Sequence, residues 1–303
     1  MRWNFAEELR RHGPGCDTTM SLNAARSYCA RVVRTHSENF AVASVLLPRR
    51  LVPHFHAVYA YCRWADDLAD ETAGGQPALD LLAWWRRELL ADDSRHPVMR
   101  ALRETRTRFA IPTQPFLDLL TAFEQDQRVT RYATFAELLG YCRSSANPVG
   151  RIVLHLFECH DEARASLADE VCTGLQLANF WQDVARDFEK GRIYLPAEDR
   201  ERFGYRDEDM TAKRFTPAFA ELLRFEVERT RGYFERGQRL LPLIPRRVRV
   251  DVDLFIRGGR AVLEAIERQE FDVWTTRPIV SKRRKLDLLL RAITNSVLRR
   301  RPL

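Results

Sequence analysis

Along most of this chain the apolar residues return every three or four positions, the period of an amphipathic helix, and strict alternation bounded by turns is nearly absent. Segments such as Asp80-Leu81-Leu82-Ala83-Trp84-Trp85 and the run from Phe219 to Phe234 read as helices with one buried stripe. Turn signals separate them at helical lengths: Gly74-Gly75-Gln76-Pro77, His96-Pro97, Ile111-Pro112 and Pro242 to Pro245. Two helix starts are well marked. Thr134-Phe135-Ala136-Glu137 is a capping box, and Thr216-Pro217 sets an N-cap residue before a proline at the first helical position. The pattern predicts an all-α fold of about ten helices. No Ser/Gly-rich or low-complexity stretch marks a linker, so residues 1–303 read as one domain, with 1–20 as a flexible N-terminal segment.

Two carboxylate clusters interrupt this pattern, Asp66-Asp67-Leu68-Ala69-Asp70 and Asp183-Val184-Ala185-Arg186-Asp187. At about 3.6 residues per turn, Asp66 and Asp70 share one helix face, as do Asp183 and Asp187. Like charges at that spacing repel, so two such pairs beside apolar neighbours point to cations held between them. Carboxylates with no soft ligand nearby favour magnesium, which keeps part of its water and shares coordination with substrate phosphates. The first stripe continues upstream through Tyr59 and Arg63. On the second helix Gln176, Asn179, Asp183 and Asp187 advance by three, four and four, while Leu175, Leu177, Ala178 and Trp181 take the opposite face. Asp66, Asp70, Asn179, Asp183 and Asp187 are thus the candidate metal ligands. The plain alternative for either cluster alone is a solvated helix face.

Six cysteines (Cys16, Cys29, Cys62, Cys142, Cys159, Cys172) form no CxxC pair and mostly lie in apolar runs, which suits a reducing, cytoplasmic setting. No apolar run follows the basic N-terminus and none approaches a membrane span, so neither a signal peptide nor a transmembrane segment is expected. His54 and His56 lie two apart, cannot share a helix face, and read as packing or surface residues. The formal charge of +7 is concentrated in residues 281–303, where eight Lys and Arg face the single acid Asp287. Interspersed Leu286, Leu288, Leu289, Leu290, Ile293, Val297 and Leu298 make this a basic amphipathic helix, either packed on the core or laid on the inner face of the cell membrane. Nucleic acid is not an expected partner, because no recognition motif and no interleaved exposed aromatics accompany the charge.

These residues resemble a known family, the head-to-head trans-isoprenyl diphosphate synthases that make squalene and phytoene. The segment Tyr59-Ala60-Tyr61-Cys62-Arg63-Trp64-Ala65-Asp66-Asp67-Leu68-Ala69-Asp70-Glu71 is similar to the family's first aspartate motif. Gln176-Leu177-Ala178-Asn179-Phe180-Trp181-Gln182-Asp183-Val184-Ala185-Arg186-Asp187, followed by Gly191-Arg192-Ile193-Tyr194-Leu195-Pro196, resembles the second. Gly258-Gly259-Arg260-Ala261-Val262-Leu263 and Arg277-Pro278 extend the likeness toward the C-terminus. The resemblance implies an isoprenoid-synthase-type helical bundle with a central cavity between two aspartate-bearing helices. It also implies several magnesium ions and a substrate-binding set of Tyr59, Arg63, Gln176, Asn179, Arg192 and Phe40, with Phe40, Tyr59, Tyr141 and Phe180 lining a dry cation pocket.

Two segments depart from the usual family pattern: Ser37-Glu38-Asn39-Phe40-Ala41-Val42-Ala43-Ser44, and Tyr141-Cys142-Arg143-Ser144-Ser145-Ala146-Asn147-Pro148-Val149-Gly150. Both variants resemble the bacterial hydroxysqualene synthases of hopanoid pathways. That resemblance implies conversion of presqualene diphosphate and water to hydroxysqualene and diphosphate, with no nicotinamide cofactor and with pathway enzymes upstream and downstream as partners. Asp66, Asp70, Asp183, Asp187, Tyr141 and Asn147 are then the catalytic candidates. Pro148 cannot donate to the Ser144 carbonyl, so a helix through this stretch would kink and leave room for a water beside Asn147; otherwise Asn147-Pro148 begins a new helix. Two other functions fit the same chain, a bifunctional synthase condensing two prenyl diphosphates and a non-catalytic membrane-associated assembly factor.

Overall fold

Helices account for nearly all regular structure because almost every long segment carries an apolar stripe that must be covered. The structure is a computed structural model and describes residues 3–16, 19–36, 47–281 and 283–284. Among these residues there are fourteen α-helices, one 3-10 turn and no strand beyond a single bridge between Arg131 and Ile193. The count exceeds the ten expected because turns split what reads as continuous periodicity, at Ala146, at Asp183 and around Gly204. No described helix is long and apolar enough to cross a membrane.

The chain divides into two compact units. The first comprises Met1–Arg128 and Ile152–Glu158. Its helices are α1 (Phe5–His12), α2 (Leu22–His36), α3 (Val52–Asp70), α4 (Gly75–Leu90), α5 (Pro97–Phe109) and α6 (Gln114–Asp126). Its core is aromatic: Trp64 stacks on Trp85 at 5.4 Å, and Tyr61 stacks on Trp85 at 5.7 Å while donating its hydroxyl to the Phe116 carbonyl at 2.9 Å. His96 stands edge-on to Trp64 and Trp85 at 4.6 and 4.7 Å, and burial drives its pKa well down, so it packs as a neutral ring. The N-terminal segment, expected to be flexible, instead carries α1, capped by Asn4 and buried through Phe5, Glu8 and His12. Two polar members hide that stripe from a hydrophobicity reading. Glu8 is buried because Tyr28 and Arg31 donate to it at 2.8 and 2.7 Å, and those bonds outweigh the burial that would otherwise raise its pKa.

The second unit comprises Val129–Arg151 and Cys159–Leu303. It is built on α9 (Glu162–Gln182), with α7 (Phe135–Ser145), the start of α8 (Asn147–Leu156), α10 (Val184–Glu189), α11 (Ala197–Arg202), α12 (Asp207–Thr211), α13 (Pro217–Gly237) and α14 (Arg246–Arg268) around it. Both expected starts are present: Thr134 accepts from the Glu137 amide and Thr216 from the Phe219 amide, each at 3.2 Å. Glu137 returns its bond to the Ala133 amide, one residue before the cap. α13 runs antiparallel to α9, with Trp181 donating to Thr230 at 2.8 Å near one end and Gly237 against Val171 near the other. The tail is described only to Arg284, which pairs with Glu264 at 2.8 Å; the rest of the basic 281–303 segment, and Phe40 with its neighbours 37–46, lie outside the described residues.

Two adjacent glycines in α14 play different parts. A Cβ on Gly259 would collide with the buried Phe234 ring, whereas one on Gly258 meets nothing within 4 Å. Gly259→Ala should therefore cost about 1–3 kcal/mol by overpacking, while Gly258→Ala should be neutral or stabilising by up to about 1 kcal/mol through helix propensity. Urea denaturation of the two variants checks the contrast.

Candidate active site

α3 is buried on every side except one stripe. Its partly or fully accessible positions are Val52, Pro53, His56, Tyr59, Cys62, Arg63, Asp66 and Asp70, a helical row that ends on the two carboxylates. Arg63 sits inside this row as a counterion, with Nη1 3.0 Å from Asp66 Oδ2 and Nη2 bonded to Asp67. Asp67, between the two stripe carboxylates, points the other way and is fully buried. Trp3 Nε1 donates to its second oxygen at 3.0 Å. Burial pushes the Asp67 carboxyl up, against the pull of Arg63 and Trp3. Its place is thus to hold Arg63 beside Asp66 rather than to meet a ligand. Tyr59 is half-buried on the same row, and burial raises its phenol pKa despite Arg63 nearby.

α9 repeats the design with a different ending. Cys172, Leu175, Gln176, Asn179 and Asp183 are its accessible positions over the last three turns, and Leu177, Ala178, Phe180 and Trp181 are buried. At Asp183 the helix stops: φ is −107° and ψ is 17°, its amide still donates to Asn179, and α10 restarts at Val184. The restart carries Asp187 one turn on, where the Asp187 amide donates to the Asp183 carbonyl and its own carbonyl receives the Arg192 amide, both at 2.8 Å. Arg192 is thereby fixed beside the second motif.

Repulsion between Asp183 and Asp187 does not stand alone, as their spacing by itself suggests. Arg277 forks onto Asp183, Nε to Oδ1 at 2.6 Å and Nη2 to Oδ2 at 2.8 Å, and also donates to Gln182 at 3.1 Å. In the sequence Arg277-Pro278 stands out only as part of the family likeness, with no site role. Trp3, Tyr132 and Trp274 give no sequence signal at all. Their partners lie far along the chain, so no local spacing marks them.

Tyr141 and Phe180 belong to one aromatic cluster with Tyr132 and Tyr194. Phe180 stacks on Tyr194 with centroids 3.8 Å apart, and Tyr141 lies 6.1 Å from Phe180 and 5.9 Å from Tyr194. Residues 130–133 hold the 193–198 loop in place, with Ile193 N donating to the Thr130 carbonyl at 2.7 Å and Ala197 N to that of Tyr132 at 3.0 Å. Beside this cluster a narrow crevice of about 10 Å³ is lined by Phe180, Asp187, Phe188, Arg192, Tyr194 and Trp274, among others. Asn147 opens a new helix after a one-residue break at Ala146, so there is no kinked continuous helix at Pro148. Its side chain is buried, and its amide oxygen receives the Thr173 hydroxyl at 3.0 Å.

Whether these residues could hold magnesium is decided by their chemistry. The accessible groups on both stripes are hard oxygen donors, Asp66 and Asp70 on one and Asn179, Asp183 and Asp187 on the other. No three acidic, histidine or cysteine side chains converge on one point among the described residues. Hard oxygen donors of this kind suit magnesium, which is usually held through one or two carboxylates with water and phosphate completing its shell. Asp67 does not fit, being consumed by Trp3 and Arg63.

The squalene/phytoene synthase family model matches residues 33–285. The chain is 28% identical over 294 residues to the 15-cis-phytoene synthase of a Synechocystis strain, spanning 92% of this chain and 87% of that protein. It is 32% identical over 270 residues to the phytoene synthase of Mycobacterium tuberculosis, spanning 88% and 89%. Among solved structures it resembles the squalene synthase HpnC of Alicyclobacillus acidocaldarius, with 43% identity, a TM-score of 0.79 and coverage of 82% of this chain and 95% of that one. A ligand-bound dehydrosqualene synthase follows at 28% identity and a TM-score of 0.81, covering 90% and 97%. With its two aspartate stripes, their arginine counterions and this breadth of match, the chain belongs to the squalene/phytoene synthase family.

Proposed function

We propose that this chain converts presqualene diphosphate and water into hydroxysqualene and diphosphate, with magnesium as its cofactor, in squalene and hopanoid biosynthesis. The observation that carries this reading is the 43% identity to the squalene synthase HpnC, well above the 28% shared with the Synechocystis phytoene synthase. Asn147 favours water capture over simple condensation. Thr173 donates to its amide oxygen, and its NH2 group is the kind of donor that can position a water.

Asp66 and Asp70 on one stripe, and Asn179, Asp183 and Asp187 on the other, would each hold magnesium, which supplies Lewis acidity to a departing diphosphate. Arg63 and Arg192 bind diphosphate oxygens as charge-assisted donors. As the carbon–oxygen bond breaks, the π faces of Tyr141 and Phe180 stabilise the cation, and their burial keeps bulk water away. The water on Asn147 forms the new carbon–oxygen bond and loses its proton to the released diphosphate. Lipophilic substrate and product suit work at the inner face of the cell membrane, with the basic 281–303 segment as contact.

The second reading, a bifunctional synthase condensing two prenyl diphosphates, draws its support from the phytoene synthases among the relatives. A non-catalytic assembly factor is disfavoured by the intact carboxylate stripes. Product analysis in oxygen-18 water separates the readings. Presqualene diphosphate with magnesium should give an alcohol labelled at its hydroxyl, and Asn147→Ala should shift products toward eliminated hydrocarbons or slow turnover. Unlabelled alcohol, or squalene or phytoene made efficiently from farnesyl or geranylgeranyl diphosphate, would overturn the proposal.

A further inference from the structure

The segment from Asp272 to Ser281 is fastened onto the second aspartate motif by three contacts. Trp274 meets Phe188 edge-on at 5.7 Å, the Pro278 carbonyl accepts from Gln182 Nε2 at 2.6 Å, and Arg277 forks onto Asp183. Asp272 stiffens the start of this strap by accepting from the amides of Trp274 and Thr275 at 3.1 and 3.0 Å. Both Asp183 oxygens are therefore already engaged by a guanidinium. The pair is only partly exposed, 22% for Asp183 and 34% for Arg277, so solvent screens it incompletely.

We propose that Arg277 is an internal counterion that competes with the metal for Asp183, so that a divalent ion alone is disfavoured and is admitted together with a diphosphate group. This rests on the magnesium reading above. The cause is electrostatic. A cation reaching Asp183 alone must either displace Arg277, leaving a guanidinium without its carboxylate, or sit beside it against like charge. A magnesium-bound diphosphate removes that penalty, because a pair of its oxygens can accept the two parallel N–H bonds of the Arg277 fork. Arg277 then exchanges one oxyanion for another, and Asp183 is released to the metal in the same step. Asp66 has a counterpart in Arg63, but Arg63 is also bonded to the fully buried Asp67 and cannot leave as readily.

The test is calorimetric titration of the full-length protein with magnesium chloride alone and with magnesium plus inorganic pyrophosphate, comparing wild type with Arg277→Gln. The variant should bind magnesium alone about tenfold more tightly and magnesium pyrophosphate about tenfold more weakly, each change being one charged hydrogen-bonded pair gained or lost. Arg277→Lys, which keeps the charge without the fork, should fall between them, and it serves if the glutamine variant melts early. In an Asp183→Asn background the effect of Arg277→Gln on magnesium alone should vanish. Weaker pyrophosphate binding with unchanged binding of magnesium alone would make Arg277 an ordinary anion ligand and overturn the inference. Weaker binding of both would reduce it to a structural contact. If wild type bound no magnesium with or without pyrophosphate, the metal reading itself would fall, and this inference with it.

Discussion

Asp70→Asn and Asp187→Asn should each lower turnover of the prenyl diphosphate by about 100- to 10,000-fold, the effect of weakening metal-assisted departure of the leaving group by several kcal/mol. Asp70 lies exposed at the end of its stripe and Asp187 is only partly covered, so neither substitution opens a core cavity. The far-ultraviolet circular dichroism should be unchanged, and folding stability should stay within about 0.5 kcal/mol of wild type. Steady-state assays over a magnesium series check this. The variants should need more metal to reach their residual rate, and wild-type turnover in either would remove that carboxylate from the mechanism. Asp183→Asn is expected to behave differently. It abolishes the Arg277 fork, so it should lose stability as well as activity, instead of gaining stability from relieved repulsion.

That difference marks where the sequence stops being legible. The helical class, the caps at Thr134 and Thr216, and the stripes ending in Asp66, Asp70 and Asp183 all follow from periodicity, because they depend on neighbours three or four residues away. Local spacing could not show that Asp67 turns inward to Trp3, that Glu8 is buried against Tyr28 and Arg31, or that Arg277 neutralises Asp183. Each of these pairings joins residues 20 or more positions apart. A charged residue on an apolar stripe is read as solvated until its distant partner is seen. The break at Asn147 was open in the sequence for a related reason: proline permits either a kink or a helix start, and packing decides, here through Thr173 on α9 and Gly150, whose missing Cβ lets Cys172 approach.

Arg229→Ala should destabilise the protein by about 3–5 kcal/mol, since it strips the cation from a buried acidic pair. Arg229 forks onto Asp199 at 2.9 and 3.0 Å, stands 3.5 Å from Glu226, and lies over the rings of Phe135 and Phe225 at 3.9 and 4.3 Å. It ties α13 to α11 and so anchors the loop that carries Arg192 and Tyr194. Glu226 is fully buried, and its oxygens meet no donor in hydrogen-bond geometry. Burial drives its pKa well up, and the neighbouring Asp199 and Glu198 raise it further against Arg229. Burial thus favours the protonated form of Glu226 in the native state. A folded pKa above the unfolded one contributes stability that is complete below the unfolded pKa and is lost as pH rises toward the folded pKa, at about 1.4 kcal/mol per pH unit. Glu226→Gln removes that proton linkage while keeping the shape and one donor. Its stability relative to wild type should thus improve steadily with pH above the ordinary glutamate range. Urea denaturation from pH 5 to 9 measures this, and parallel curves for wild type and Glu226→Gln would show that Glu226 is ionised in the folded protein.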